Sequence, residues 1–144
     1  MENISGGCLC GAVRYTADVH PIVTRACWCK FCQSLASGNA TINMAFPVNS
    51  VVITGELQDY ASIADDGNRM HRRFCSNCGV HLFSDAEERP DIIVVRAGTL
   101  DDTEQVEIGG IIWTQEAPSW AYLDPNVPHF EGQPPAPQVS DDVS

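Results

Sequence analysis

Three cysteines within six residues form the chemically richest part of the chain. Cys27, Cys29 and Cys32 lie in the sequence Arg-Ala-Cys-Trp-Cys-Lys-Phe-Cys, residues 25–32, which contains no histidine and no carboxylate. Their spacing fits a tight loop that runs into a helical turn, so the three thiolates are expected to converge on one metal ion. Three protein ligands with an open fourth position are typical of catalytic zinc. The sequence therefore predicts a catalytic zinc ion held by these three cysteines.

The ligand type indicates which reaction such a zinc ion would favour. Three thiolates give the site a net charge of about −1, so the metal would polarise a bound water less than it would with three histidine ligands. Soft sulfur ligands suit a soft fourth ligand, and a substrate thiol is the natural candidate. Zinc lowers the pKa of a bound thiol and positions its sulfur. We therefore expect a reaction that forms or breaks a carbon–sulfur bond.

The other four cysteines form two pairs, each on one predicted turn. Cys8 and Cys10 are one residue apart, and Cys75 and Cys78 two residues apart. Together they offer the four sulfurs of a tetrahedral structural zinc site. Closing the long loop between the pairs costs roughly 4 kcal/mol in its length-dependent part, whereas structural zinc returns on the order of 10–16 kcal/mol. We therefore predict a structural zinc on Cys8, Cys10, Cys75 and Cys78, and two zinc ions per chain.

Other uses of the seven cysteines are weaker explanations. Disulfides are disfavoured by a reducing compartment and by the odd number of cysteines. An iron–sulfur cluster could use the same ligands. Alternatively, a histidine from elsewhere (His71, His81 or His129) could close the shell of the triplet and make it structural. His71 and His81 flank the second pair and could act as proton carriers or as hydrogen-bonding partners of the ligands. The sequence does not assign the general acid/base.

Composition describes one acidic globular domain. The chain has 144 residues, of which 44% are hydrophobic and 19% charged, enough for one domain with its own core. A net charge of −11 argues against a nucleic acid or an anionic membrane as partner. The N-terminal residues lack a basic start, and no run of about 20 apolar residues follows. We expect a cytoplasmic protein without a membrane partner, and its oligomeric state is left open.

Basic residues are few and unevenly placed. Six of the eight lie within a few residues of a cysteine group: Arg14, Arg25, Lys30, Arg69, Arg72 and Arg73. This distribution fits compensation of thiolate charge, binding of an anionic small substrate, or ordinary surface charge.

Short apolar segments between turn signals predict an all-β domain with short helical turns only. The strand candidates are residues 12–18, 41–46, 51–54, 57–63, 69–74, 80–84, 92–97 and 111–113. One short helix is predicted over residues 30–37, ending at Gly38, and residues 6–11 are interpreted as a tight loop around the first pair. Residues 92–97 form the most apolar strand and are expected to be buried on both faces. The acidic, proline-rich residues 132–144 are predicted to be a disordered tail.

Three stretches of the chain resemble the glutathione-dependent formaldehyde-activating enzyme (GFA) family, which includes centromere protein V. They are Gly-Gly-Cys-Leu-Cys-Gly-Ala-Val-Arg-Tyr, Cys-Trp-Cys-Lys-Phe-Cys-Gln and Arg-Arg-Phe-Cys-Ser-Asn-Cys-Gly-Val-His-Leu-Phe, one around each cysteine group. Residues 97–101 and the later Trp-Ala-Tyr-Leu-Asp add to the resemblance. It covers most of residues 4–131 and implies a zinc-stabilised β-tent domain over that range.

The resemblance also implies ligand roles and a reaction. It gives Cys8, Cys10, Cys75 and Cys78 to the structural zinc, and Cys27, Cys29 and Cys32 to the catalytic zinc. The activity associated with the family is the condensation of formaldehyde with glutathione to S-hydroxymethylglutathione, which is classed with the carbon–sulfur lyases. We therefore expect a zinc-dependent carbon–sulfur lyase acting on a small thiol adduct, possibly a glutathione adduct. The alternative is a non-catalytic zinc-binding module that binds a protein partner or a small thiol.

Two residues depart from the pattern of that family. Trp28 and Gln33 stand where members commonly have histidine and arginine. Trp28 either narrows the open zinc position or packs in the core. Gln33 removes a charge that could have met a substrate carboxylate. The sequence therefore leaves open which thiol is the substrate, and whether glutathione is used.

Overall fold

The structure is a computed structural model that describes residues 3–64 and 67–138. Within these residues the chain forms ten β-strands and one α-helix. The strands are β1 Ile4–Gly7, β2 Arg14–Ala17, β3 Val23–Cys27, β4 Thr41–Pro47, β5 Val51–Thr54, β6 Leu57–Ile63, β7 Arg69–Cys75, β8 His81–Ala86, β9 Ile92–Arg96 and β10 Gly110–Ile112. Helix α1 spans Lys30–Leu35, and short 3₁₀ turns span Val48–Ser50, Ala97–Thr99, Thr103–Gln105 and Thr114–Glu116. The predicted β-dominated class is confirmed.

The strands form two sheets. In the described residues the smaller sheet has the order β1-β2-β5, and the larger sheet has the order β10-β3-β4-β9-β8-β7-β6. Strand pairs are antiparallel throughout, except that β10 pairs with β3 in parallel. None of the helices in the described residues is long and apolar enough to cross a membrane.

Strand alternation gives the larger sheet two different faces. On β4, Met44 and Phe46 are buried in the main core, whereas Asn43 and Ala45 line a cavity on the other face. Successive side chains of a strand point to opposite faces, so one strand serves both purposes. The smaller sheet covers the core face, where the ring of Tyr15 meets that of Phe83 edge-on with 5.3 Å between centroids. The open face of the larger sheet is thus left for the site.

Most of the predicted elements are present. Strands β5 and β6 have the predicted bounds, and β9 is buried along most of its length. The helix ends close to Gly38, whose φ of +101° is a left-handed conformation that glycine adopts easily.

Two strands were missing from the sequence prediction. In β1, Gly6 and Gly7 are part of the strand rather than of a loop; a Cβ at Gly6 would lie 2.3 Å from the carbonyl oxygen of Thr99, so the strand needs glycine there. Strand β3 is short and ends at Cys27 itself, and the metal-binding pattern obscured its extended character.

The C-terminal segment is described in part. Residues 139–144 of the predicted disordered tail lie outside the described residues. Within residues 132–138, the carbonyl oxygen of Gly132 accepts a hydrogen bond from the backbone N–H of Trp113, and the side chain of Gln133 accepts one from the indole of Trp113. The division into a domain of residues 4–131 and a tail of residues 132–144 stays a prediction.

Candidate metal centres

The two cysteine pairs come together as one group, here called the tetrad (Cys8, Cys10, Cys75 and Cys78). Their Sγ atoms all lie within 4.8 Å of one another. The Sγ of Cys10 lies 3.6 Å from that of Cys8 and 3.7 Å from that of Cys75. Zinc–sulfur bonds of about 2.3 Å in a tetrahedron place neighbouring sulfurs about 3.8 Å apart. The tetrad therefore has the dimensions of a tetrahedral metal site.

Backbone N–H groups of the two turns point at the sulfurs of the tetrad. Val13 donates to the Sγ of Cys8 at 3.3 Å, and Asn77 and Cys78 donate to the Sγ of Cys75 at 3.3 and 3.4 Å. Burial raises the pKa of Cys8, but the Val13 N–H and the neighbouring cysteines outweigh it and lower that pKa to about 6. Because metals bind the thiolate form, this local backbone geometry favours the ligand state.

The remaining cysteines form the second group, here called the triad (Cys27, Cys29 and Cys32), whose Sγ atoms also lie within 4.8 Å of one another. Cys27 ends β3, and Cys29 is the N-cap of α1. The Sγ of Cys29 accepts a hydrogen bond from the backbone N–H of Cys32 at 3.3 Å. A strand that turns directly into a helix thus brings the three sulfurs together.

The thiols of Cys27 and Cys32 in the triad have very different pKa values. Hydrogen bonds from Cys27, and then from Cys29, lower the pKa of Cys32 to about 2. The hydrogen bonds to Cys29 and Cys32, together with burial, raise the pKa of Cys27 far above its ordinary value. Three thiolates this close need a cation, so a metal ion would displace the remaining protons on binding. The donor set fits a thiophilic metal such as zinc.

No histidine or carboxylate of residues 3–64 and 67–138 joins the triad as a fourth ligand. The two nitrogens of His71 instead contact Asp59 at 2.5 Å and Glu87 at 2.6 Å. The Nε2 of His129 donates to the carbonyl oxygen of Asp124 at 2.7 Å. The hypothesis that a histidine closes the triad finds no support in the described chain.

A cavity of about 670 Å³ adjoins the triad on the open face of the larger sheet. Its volume lies in the usual range of small-molecule sites, roughly 300–1,000 Å³. Five of the eight basic residues of the chain line it, whereas of the acidic residues within 3–64 and 67–138 only two do. These residues are Arg25, Lys30, Arg72, Arg89 and Arg96, with Asp85 and Glu116. A strongly acidic protein therefore has a cationic cavity.

A hydrogen-bonded chain connects the cavity to the triad. The buried Arg96 donates from Nε to Nδ1 of His81 at 3.1 Å and from Nη1 to Oδ1 of Asn43. Asn43 donates from Nδ2 to the hydroxyl of Thr41 at 3.1 Å. Thr41 in turn hydrogen-bonds to Cys32 and helps to lower its pKa. Arg96 is thus fixed in orientation beside the cysteines of the triad.

His81 is held in one neutral tautomer. Because Arg96 donates to its Nδ1, the ring proton resides on Nε2, which is buried and has no hydrogen-bond partner among the described residues. Burial, followed by the charges of Arg96 and Arg72, lowers the pKa of His81 to about 4. The ring lines a second cavity of about 470 Å³ beside α1. His81 is therefore uncharged near neutral pH.

Two cavity arginines are held against aromatic rings. The guanidinium of Arg72 lies 3.7 Å from the ring centroid of Phe31, and its Nη1 donates to the hydroxyl of Ser62 at 2.9 Å. Arg25 lies 5.8 Å from the ring centroid of Phe130. Stacking of this kind restricts the rotamers of a long side chain and retains its charge.

Trp28 and Gln33 do not line the cavity. Trp28 is buried and packs with Ala26 and Ile111, so of its two interpretations core packing is correct. The side-chain amide of Gln33 donates to the carbonyl oxygens of Trp28 at 2.8 Å and Glu116 at 3.0 Å. Gln33 therefore braces the loop of the triad, and three of the five cavity cations, Arg25, Arg72 and Arg96, come from strands of the sheet.

Sequence reasoning missed Arg96 and Asn43 as site residues. Both are polar residues, in strands β9 and β4, whose other residues are mostly apolar. A charge at the end of a strand that is predicted to be buried on both faces is the signal that could have identified Arg96. Asn43 carries no comparable signal, because its role depends on strand register.

Comparison with known proteins agrees with this arrangement. The family model of glutathione-dependent formaldehyde-activating enzyme matches residues 3–116, a range that includes both the tetrad and the triad. The crystal structure of a Rhodobacter sphaeroides protein is similar at a TM-score of 0.56 and 20% sequence identity, over 72% of this chain and 96% of that one. At that identity the likeness shows a shared fold. The chain belongs to the glutathione-dependent formaldehyde-activating enzyme family.

Proposed function

We propose that this protein is a zinc-dependent carbon–sulfur lyase that acts on a small thiol adduct, with glutathione as the leading thiol. The observation that carries the proposal is the position of the triad: three sulfur ligands at the wall of a cavity, with no fourth ligand from the described residues. Membership of the family supports a GFA-like function in general.

The two cysteine groups would each hold one zinc ion. The tetrad would be structural, because it joins the turn after β1 to the turn between β7 and β8 with a complete set of four sulfurs. The triad would be catalytic. Zinc bound there would lower the pKa of a substrate thiol and hold its sulfur in position.

The residues around the triad would set the charge at the reacting sulfur. Hydrogen bonds from Cys27 and then from Cys29 favour the thiolate form of Cys32, and Arg96 and Arg72 place positive charge beside the triad. A bound substrate sulfur would therefore be stabilised as the anion.

Condensation of formaldehyde with a thiol forms one carbon–sulfur bond and moves the thiol proton to the former carbonyl oxygen; the reverse reaction breaks the same bond. The cavity offers two acidic side chains for that proton. Asp85 is paired with Arg73 at 3.2 Å, and Glu116 accepts the backbone N–H of Lys30 at 2.8 Å. The proton would pass through one of these carboxylates or through water.

The decisive test uses the full chain loaded with zinc and with cobalt. Thiol binding to the cobalt form should change the sulfur-to-cobalt charge-transfer absorption, and the zinc form should accelerate exchange of ¹³C-formaldehyde with its glutathione adduct in NMR spectra. Cys29→Ser is the matched control and should abolish both effects. Thiol binding without accelerated exchange would favour the non-catalytic module. The absence of both effects would refute the proposal.

A further inference from the structure

We propose that residues 128–137, here called the strap, hold the indole of Trp113 against the triad, and that Trp113 and Gln133 are specificity-determining residues, which exclude ligands that are branched next to the sulfur. The inference rests on the proposed function, since it concerns access to the ligand position of the triad. The strap lies C-terminal to the range that the family model matches.

The strap continues the larger sheet on the side of the triad. Its His129 forms a parallel bridge with Ile111 of β10. The backbone N–H of Ile111 donates to the carbonyl oxygen of Pro128 at 3.0 Å, and that of Phe130 donates to the carbonyl oxygen of Ile111 at 2.9 Å. Strand β10 is an outer strand that pairs on its other side with β3, which ends at Cys27. The strap therefore covers a sheet edge with one strand between it and the triad.

Trp113 is held by the strap at both its backbone and its ring. Its backbone N–H donates to the carbonyl oxygen of Gly132 at 3.3 Å, and its indole N–H donates to Oε1 of Gln133 at 3.0 Å. Its φ of +59° lies in the left-handed region, where a bulky residue is an outlier. Such a strained backbone persists only where the surrounding structure imposes it. The two hydrogen bonds to the strap are placed to do so.

Trp113 and Phe130 pack against the triad itself. Both side chains contact a small buried cluster that contains Cys27 and Cys32. Trp113 also lines the cavity beside the triad. A ligand whose sulfur lies at the triad would therefore have the carbon that bears the sulfur close to the indole.

The strap contributes a stiff part of the cavity wall. Gln133 and Pro137 line the cavity, and Pro134 between them is buried. Three of the last four residues of the strap are prolines, whose rings fix φ and leave the chain few other conformations. The side chains that the strap and Trp113 present to the cavity are uncharged. Discrimination at this wall therefore depends on shape rather than on charge.

Absorption titration of the cobalt-loaded full chain tests the limit on shape. N-acetylcysteine and N-acetylpenicillamine carry the same charge, but the second has two extra methyl groups on the carbon that bears the sulfur. The wild type should bind N-acetylcysteine at least about tenfold more tightly, because one surplus methylene in a hydrophobic pocket is worth roughly ten- to two-hundredfold. Equal affinities for the two thiols would overturn the inference.

Variants of Gln133 assign the effect to the strap. Gln133→Ala removes the acceptor of the indole hydrogen bond and should narrow the preference about two- to tenfold, chiefly through tighter binding of N-acetylpenicillamine. Gln133→Glu keeps an acceptor oxygen and should retain the preference, since its added charge acts on both thiols alike. Gln58→Ala is the matched control, because Gln58 is exposed on β6 and does not line the cavity, and it should change neither affinity. If Gln133→Ala weakens the binding of both thiols equally, the strap is only structural and the inference is wrong.

Hydrogen exchange of the tryptophan indoles, followed by NMR on the zinc-loaded full chain, gives a readout that needs no thiol. The indole N–H of Trp113 should exchange about tenfold more slowly than that of Trp120, which is 65% exposed. Gln133→Ala, but not Gln133→Glu, should remove most of this difference. Exchange of Trp113 as fast as that of Trp120 in the wild type would show that the strap does not hold the indole, and would overturn the inference.

The two proposals fail in different ways. If neither thiol alters the absorption of the cobalt-loaded protein, the proposed function fails and this inference with it. If both thiols bind at the triad with equal affinity, the inference alone fails.

Discussion

The tetrad and the triad use the same ligand chemistry in opposite surroundings. The tetrad lies on two turns, with Cys10 exposed and Cys8 and Cys75 buried, and backbone N–H groups donate to its sulfurs. In the triad Cys27 and Cys32 are buried, and the neighbouring side chains beside the cavity are cationic. Four sulfurs complete a tetrahedron, whereas three leave one direction for a ligand. Ligand number and environment, rather than ligand type, therefore separate the two sites.

The two sites are also mechanically connected. Strand β8 begins with His81, shortly after the turn that carries Cys75 and Cys78. The ring of His81 accepts a hydrogen bond from Arg96, which lines the cavity beside the triad. The turn that carries two tetrad cysteines thus leads directly into the strand that forms one wall of the cavity beside the triad.

The largest expected effect comes from breaking the tetrad. Cys75→Ser replaces a predicted ligand that is buried, with only 1% of the residue exposed. Structural zinc contributes on the order of 10–16 kcal/mol, as much as the roughly 5–15 kcal/mol of total stability of a typical protein. We expect Cys75→Ser to unfold the protein, measured by circular dichroism and by loss of bound metal. A variant with native dichroism and an unchanged melting temperature would contradict a structural tetrad.

Breaking the triad should separate function from folding. Cys29→Ser removes a thiolate, but a serine hydroxyl at this N-cap can still accept the N–H of Cys32. We expect metal content to fall from two ions to one and thiol binding to be lost, with much less destabilisation than for Cys75→Ser. Metal analysis and thermal melting measure both effects.

The companion variant Cys29→Ala isolates the contribution of the cap. It should be less stable than Cys29→Ser by about 1 kcal/mol, because alanine cannot cap the helix. If Cys29→Ser unfolds the protein as severely as Cys75→Ser does, the triad is structural and the contrast between the sites disappears.

The sequence predicted the ligands better than their surroundings. Spacing placed the seven cysteines in one triplet and two pairs, because ligands on one turn are close in both sequence and space, and the need of a tetrahedral metal for four sulfurs predicted that the two pairs meet, as they do. Arg96 and Asn43 could not be assigned in this way, since antiparallel register brings them together from distant strands. Trp28 lies among the cysteines yet points into the core, because neighbouring residues of an extended segment face opposite sides. The metal identities and the roles of the two sites stay predictions.

A smaller effect should come from the brace of the triad. Gln33→Met keeps the side-chain volume but removes the hydrogen bonds to the carbonyl oxygens of Trp28 and Glu116. We expect a loss of about 1–3 kcal/mol in the free energy of unfolding, measured by urea denaturation, with thiol affinity unchanged. A change in affinity for carboxylated thiols at constant stability would instead place Gln33 in contact with the ligand.

The smallest expected effect distinguishes the two histidines of the β7–β8 hairpin. Asp59, then Glu87, raises the pKa of His71, with a further contribution from Asp85, while Arg69 pairs with Glu87. A raised pKa means that the folded state favours the protonated ring. The stabilisation is complete below the unfolded-state pKa of about 6.5 and is lost as pH rises through the folded-state pKa.

The contribution of His81 to stability depends on pH in the opposite direction. Its pKa is lowered to about 4, so its contribution is present above about 6.5 and is lost as pH falls toward 4. Melting temperatures of the metal-loaded protein between about pH 6 and 9 should therefore decline more steeply for the wild type than for His71→Gln. His81→Gln should leave that alkaline decline unchanged, because His81 is already neutral there. Equal slopes for the wild type and His71→Gln would show that His71 is not protonated in the folded protein. The two histidines of the hairpin would then not differ in charge.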